Sequence, residues 1–441
     1  MAGGMLLQDI VPALPPTRQG PYRYYVLGLL TLVGVCSWVD RQIFAILMQD
    51  IKAEFDLSDT QLGLLGGIAF SLFYSTLGLP MAWLADRMNR RNIIGISLAV
   101  WSGMTALCGY ATGFTSLFLG RIGVGVGEAG GSPPSQSIIS DYFAPAERGF
   151  ALGIFHLYLP LGFMAGFLIG GWSNQFMGWR ETFLIVGLPG LLLALVLRLT
   201  LREPHRQHLA NTSSKPDSSE SMLSTLRYFL KVPSLRLIPI AGAIQGIGAW
   251  GVGIWTPSYF MRVHDLSSGE VGTWLAFTYG ISGSLGVIAG GRLCDRLVRR
   301  SGDQRWYLWM TAGCILAAIP FSAVVYLWPT AQVALIAFFV PIFFGHMFLG
   351  PVMATIQNLA GPRRRAQGAA FYLFLANLIS MGLGPLIIGM SSDFFQSRFG
   401  DNSIRYSILA LLVVSYSWAA LHFFQAARTV RADLAKAATD R

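Results

Sequence analysis

The sequence predicts an all-α membrane protein, with twelve transmembrane helices arranged as two pseudo-symmetric six-helix bundles. Three observations predict it: an apolar composition, the regular spacing of apolar runs, and a repeat between the two halves. Of 441 residues, 53% are hydrophobic and only 12% charged, where a soluble domain carries roughly 25% charged residues. Fifty glycines, 29 phenylalanines and 12 tryptophans suit helices that pack closely in a bilayer and anchor at its interfaces. This composition excludes an ordinary soluble enzyme, a disordered chain and collagen. Cys36, Cys108, Cys294 and Cys314 lie in apolar stretches with no CxxC pair and no histidine at ligand spacing, so they read as buried packing residues without disulfide or metal.

A crossing helix needs about 20 mostly apolar residues. By that measure the first half carries spans over 24–48, 60–84, 92–112, 115–140, 149–171 and 181–201. The second half carries them over 237–260, 271–294, 306–328, 331–357, 366–391 and 404–427. The expected domains are an N-terminal segment (1–22), a first bundle (23–201), a linker (202–236), a second bundle (237–427) and a tail (428–441). Segment 1–22, with Pro12, Pro15, Pro16 and Pro21, lacks a signal-peptide pattern, so the first span is expected to insert uncleaved. The linker contains NTSSKPDSSES at 211–221, which has no apolar side chain with which to order itself.

An even number of spans puts both termini on one side. Twenty-five of the 32 Lys and Arg residues fall there; Lys52, Arg180, Arg262, Arg398 and Arg405 fall opposite, and Arg41 and Arg121 lie inside spans. The positive-inside rule therefore expects cytoplasmic termini. The net charge of +10 reflects this topology, and the basic clusters at 87–91, 296–300 and 363–365 are expected to meet anionic membrane lipid rather than nucleic acid.

Residues 84–91, LADRMNRR, and 293–300, LCDRLVRR, share five identities at a constant offset, each ending the second span of its half. Parallel repeats of this kind mark the major facilitator architecture. The stretch 82–91 resembles that superfamily's loop motif Gly-x-x-x-Asp-Arg-x-Gly-Arg-Arg, with Ala82 and Asn89 in place of two glycines, and the second copy keeps Gly291. Span 4 holds LFLGRIGVGVGE at 117–128, which resembles the Arg-x-x-x-Gly signature of proton-coupled members through Arg121 and Gly125. Span 5 places Gly162, Gly166, Gly170 and Gly171 at the spacing of the glycine-rich motif. VDRQIFAIL at 39–47, RIGVGVGEA at 121–129 and SDYFAPAERGFALGIFHLYLPLG at 140–162 resemble the Spinster branch, whose better-known members move lysolipids and sphingoid phosphates. The resemblance implies a conformational latch at Asp86, Arg87, Arg91, Asp295, Arg296, Arg300 and Arg148, in which each acid reaches the start of a helix in the other half.

Four ionisable residues sit deep within two spans: Asp40 and Arg41 in span 1, Arg121 and Glu128 in span 4. Intramembrane charge is costly and is usually paired toward the bundle interior, so these four are the expected proton-coupling residues. Arg121 and Glu128, seven apart, share a helix face, whereas adjacent Asp40 and Arg41 point about 100° apart, so one of the two should face span 4. The alternative is a fixed set of ion pairs pinning the spans. His156, Tyr158, Gln245, Trp250, Trp255, His346, Tyr372 and Asn377 are polar or aromatic residues within spans and are the candidates for a cavity wall.

GVGVGE at 123–128 lacks the GK[ST] ending of a P-loop, and neither Gly-x-Ser-x-Gly nor HExxH occurs. The intramembrane charges together with the resemblance to the Spinster branch imply a proton-coupled secondary transporter working by alternating access, not an enzyme, with an anionic amphipath such as a lysophospholipid or sphingoid lipid as the substrate the resemblance implies. A symporter of small organic anions is the rival within the class; a channel or an intramembrane enzyme is the rival outside it. The expected partners are substrate, protons and membrane lipid. The expected setting is a bacterial inner membrane, as a monomer, without cofactor or metal.

Overall fold

A computed structural model describes residues 20–204 and 222–439. Residues 205–221 of the expected linker and 1–19 of the expected N-terminal segment lie outside this set, as do the side chains of Asp86, Arg363, Arg365 and Ala366. The described chain is helical, with no strand among the described residues.

Among the described residues, nine stretches are long and apolar enough to cross a membrane, and the last, Gln367–Lys436, runs for 70 residues. It contains spans 11 and 12, parted by the single turn Gly400–Asn402. Spans 3 and 4 complete the twelve. Span 3, Arg90–Cys108, is short and opens on two arginines. Span 4 is broken into Phe114–Glu128 and Ser132–Tyr142. The break follows from Gly130 and Gly131 followed by Pro133 and Pro134, because proline has no N–H to continue the ladder and is tolerated only in a first turn.

Several helices overrun the apolar stretches. Span 1 is Tyr22–Phe55, and the last helix runs Ser403–Thr439, taking most of the expected tail into the helix. Hydropathy marks where a helix leaves the bilayer, not where its hydrogen bonds end. The region expected as linker contains a helix, Met222–Lys231, whose Phe229 is buried against Phe371. Its Tyr228 hydroxyl donates to Leu359 O (3.1 Å).

Spans 2, 5, 8 and 11 are each interrupted along their length. Span 2 breaks at Gly67 between Asp59–Gly66 and Ile68–Arg87, and span 5 at His156 and Leu157. Spans 8 and 11 carry π-helical turns, Thr278–Gly283 and Asn377–Met381. Between the halves, span 2 packs on span 11 and span 5 on span 8, with glycines at the crossings. A Cβ on Gly63 would stand 2.6 Å from Pro385 O, and one on Gly67 2.5 Å from Gly382 O. A Cβ on Gly171 would collide with Ser268 O. Absent side chains let backbones approach in this way.

Away from the termini the two halves share one core. Ile43, Phe44 and Leu47 of span 1, Phe167 of span 5, Trp255 and Tyr259 of span 7 and Tyr279 of span 8 belong to a single buried cluster. Toward the termini the first half has its own core around Leu30, Ile94, Trp101, Ile138 and Phe155.

Candidate functional site

The four intramembrane charges converge in the first half, all at most 8% exposed. Arg41, not Asp40, faces Glu128. Its Nε donates to Glu128 Oε2 at 2.7 Å, and its Nη2 lies 2.6 Å from the same oxygen. Ser37, one helical turn before Arg41, donates a third bond to Oε2 at 2.7 Å. Glu128 Oε1 and Asp40 Oδ1 are both buried without a hydrogen-bond partner. Arg121 does not pair with Glu128 despite sharing its face. Its Nε points to Leu65 O, at 3.4 Å, one of the carbonyls left at the end of the helix that stops before Gly67.

Aromatic rings surround both guanidiniums. Arg41 lies over Tyr74 (4.3 Å), Phe70 (4.9 Å) and Trp38 (5.1 Å), and Arg121 over Phe44 (4.7 Å) and Phe70 (5.4 Å). Phe70 thus attracts both cations through its ring face. It reaches them because Gly125 lets spans 2 and 4 touch: a Cβ there would stand 2.5 Å from Phe70 O.

Ser37, Trp38, Arg41, Tyr74, Glu128, Ser132, Ser135 and Tyr158 line a cavity of about 40 Å³. A water molecule needs at least about 10–15 Å³ by this measure, so the space admits water beside the carboxyl. Trp38 also stacks on Trp250 across the two halves, with ring centres 6.1 Å apart.

The other expected wall residues are scattered. Tyr158 lines the cavity; His156 is exposed at the span 5 break. Trp255 is fully buried and donates to Pro385 O at 2.8 Å, so it packs spans 7 and 11 together. Gln245 and Tyr372 are buried in the second half, where Tyr372 presses on Gly242. His346 Nδ1 meets Ile342 O at 2.8 Å, and Asn377 opens the π turn of span 11.

Of the expected latch, Asp86 closes the helix Ile68–Arg87 with its side chain outside the described set. Arg87 stacks on Trp83 at 3.7 Å. Arg91 N donates to Glu203 Oε2 and its Nη1 to Leu201 O. Asp295 accepts from Tyr307 OH at 2.9 Å within its own half, Arg148 donates to Ser140 O and Phe143 O, and Arg296 and Arg300 are exposed. In this conformation Asp295 therefore does not engage the start of span 5.

A second polar cluster, not anticipated from the sequence, ties the halves together on the side away from the termini. Asp59, fully buried at the start of span 2, accepts Lys52 Nζ (2.5 Å), Arg262 Nη1 (2.7 Å) and Nη2 (2.6 Å) and Ser392 Oγ (2.6 Å). Asp393 accepts the backbone N–H groups of Asp59 and Thr60 at 2.9 and 2.8 Å, capping that helix from span 11. Each charge sits at a span end and reads in sequence as an ordinary loop residue.

Two helix bundles that meet along glycine crossings, with charges buried in one of them, define a membrane transporter. Residues 30–385 match the Major Facilitator Superfamily. A crystal structure of a bacterial homolog to the human lysosomal transporter Spinster, inward-facing and unoccupied, superimposes with a TM-score of 0.85 at 30% identity, covering 94% of this chain and 99% of that one. An MFS-type efflux pump of Mycolicibacterium smegmatis is 30% identical over 418 residues, 95% of this chain and 96% of that protein. The sphingosine-1-phosphate transporter SPNS2 of Danio rerio is 26% identical over 398 residues, 86% and 77% of the two chains. The chain belongs to the major facilitator superfamily, in its Spinster-like branch, and is a transporter rather than an enzyme.

Proposed function

We propose that the protein is a proton-coupled secondary transporter that moves an anionic amphipath, such as a lysophospholipid or a sphingoid lipid, by alternating access. The observation that carries this reading is the incomplete pairing of the buried charges. Glu128 holds Arg41 through one oxygen, while Asp40 Oδ1 has no partner and Arg121 has only a carbonyl. A buried carboxylate with an oxygen left without a hydrogen bond is incompletely compensated, and proton uptake removes the charge. Protonation of Glu128 then weakens its hold on Arg41, and the freed guanidinium can take the anionic head of a substrate in bidentate fashion. The rings of Trp38, Trp250 and Tyr158 offer apolar surface beside that head site.

Spans 1, 2, 7 and 11 are tied together by the Asp59 cluster on the side away from the termini. Taking the termini as cytoplasmic, in a bacterial inner membrane, this is the outer gate, and the substrate reaches the site from within. Each chain carries a complete set of four charges, so a monomer suffices. The unpaired Arg121 also favours a second reading, a symporter that binds the carboxylate of a small organic acid.

Uptake into proteoliposomes under an imposed pH gradient, comparing a lysophospholipid with a short organic acid, tests both. Gradient-dependent lipid uptake supports the proposal; uptake of the acid alone supports the second reading; transport of either that is indifferent to the gradient refutes proton coupling.

A further inference from the structure

In the second half the buried members of one cluster are all sulfur-bearing, Cys294, Met310, Cys314 and Met347, each at most 7% exposed, with Leu297, Tyr307, Phe343 and Phe344 among the residues packed against them. They arrive from three spans. Cys294 is on span 8, Met310 and Cys314 are four apart on one face of span 9, and Met347 sits at the interruption of span 10, after the helix Ala331–His346. Cys294 Sγ lies 3.4 Å from Met310 Sδ, and Cys314 Sγ lies 3.7 Å from Met347 Sδ. Gly290, one turn before Cys294, makes the convergence possible, because a Cβ there would stand 2.7 Å from Met347 Cα.

We propose that this cluster is a binding site for a soft monovalent d10 cation, Cu+ or its surrogate Ag+. With metal–sulfur bonds of about 2.3 Å, two sulfurs on a tetrahedral centre stand about 3.8 Å apart. Each of the two sulfur pairs, at 3.4 and 3.7 Å, already stands near that value, so either pair can take two positions on one ion with little movement. Thiolate and thioether donors select Cu+ over harder cations. Among the described residues no group of three or more His, Cys, Asp or Glu gathers as a conventional site; here the thioethers complete the set. On binding, one thiol exchanges its S–H bond for a Cu–S bond and its proton leaves to water, with no change of oxidation state. One thiolate with one Cu+ gives a neutral centre, which suits a buried site. The site is independent of the transported substrate and would clamp spans 8, 9 and 10 together.

Anaerobic titration of the reduced full-length protein with Cu+, against a chromogenic Cu+ chelator, tests the site. Wild type should retain one equivalent, and Cys36→Ser/Cys108→Ser should do the same. Met310→Leu should bind at least tenfold more weakly, and Cys294→Ser/Cys314→Ser should retain none. X-ray absorption of the copper-loaded protein should show a shell of sulfur alone. No copper held by wild type, or equal retention in the Cys294/Cys314 variant, would overturn the proposal. Should that variant fail to fold, Met310→Leu/Met347→Leu, close in volume to the native pair, decides: undiminished binding there refutes the site.

Discussion

Glu128 spends one oxygen on three donors and leaves the other bare, an imbalance that a proton can correct. Replacing it by glutamine removes the titration while keeping the shape, so Glu128→Gln and Asp40→Asn should express and fold as wild type yet lose proton-driven uptake. Arg41→Lys should also fold. It replaces two contacts to Oε2 and a planar cation packed on three rings by a single ammonium, and losing one charged hydrogen bond of about 1.5 kcal/mol should lower uptake about tenfold. The four charges were legible in the sequence because each interrupts an apolar run. Which of Asp40 and Arg41 faces span 4 was not, because adjacent helical residues diverge and either could have turned inward. Ser37 carried a usable signal, lying one turn from Arg41 on the same face. Phe70 carried none; its place between two arginines depends on the closeness of spans 2 and 4 at Gly125.

Among the elements, all four helices at the seam between halves are interrupted, and spans 4 and 10 are broken as well. Twelve apolar runs could be read directly, and the break in span 4 was foreshadowed by Pro133 and Pro134. The π turns of spans 8 and 11 leave no such mark, since Thr278–Gly283 and Asn377–Met381 contain no proline. The Gly171 crossing gives a test at this scale. A Cβ there meets the backbone of Ser268, which cannot swing aside as a side chain would. Gly171→Ala should push spans 5 and 8 apart, at a cost of about 1–3 kcal/mol for overpacking. Gly149→Ala, where the added methyl meets nothing, should not. Accessibility of single cysteines on the side away from the termini would report the difference.

For the molecule as a whole, the proposed alternating access makes closure a balance between the observed Asp59 cluster at one end and the latch expected at the other. Arg262→Ala removes the two-pronged partner of a fully buried Asp59. Breaking a buried pair costs about 3 kcal/mol or more, so the population should move toward an outward-open state. If the latch proposed at the other end holds there, Asp86→Asn should shift the population inward by about 1 kcal/mol, the scale of a charge at a helix terminus, and Asp295→Asn by less. Distances between spin labels on either face would show the Arg262 and Asp86 variants moving in opposite directions. The motif repeat marks where the latch is expected, whereas the Asp59 cluster exists only after spans from both halves meet and no local pattern announces it. The most direct test of proton coupling through Asp40 and Glu128 is the pH dependence of those distances across the face that carries the termini. Wild type should change its distance distribution between acidic and alkaline pH, and Asp40→Asn/Glu128→Gln should give one distribution at both. A double variant that keeps the wild-type pH response would contradict the account.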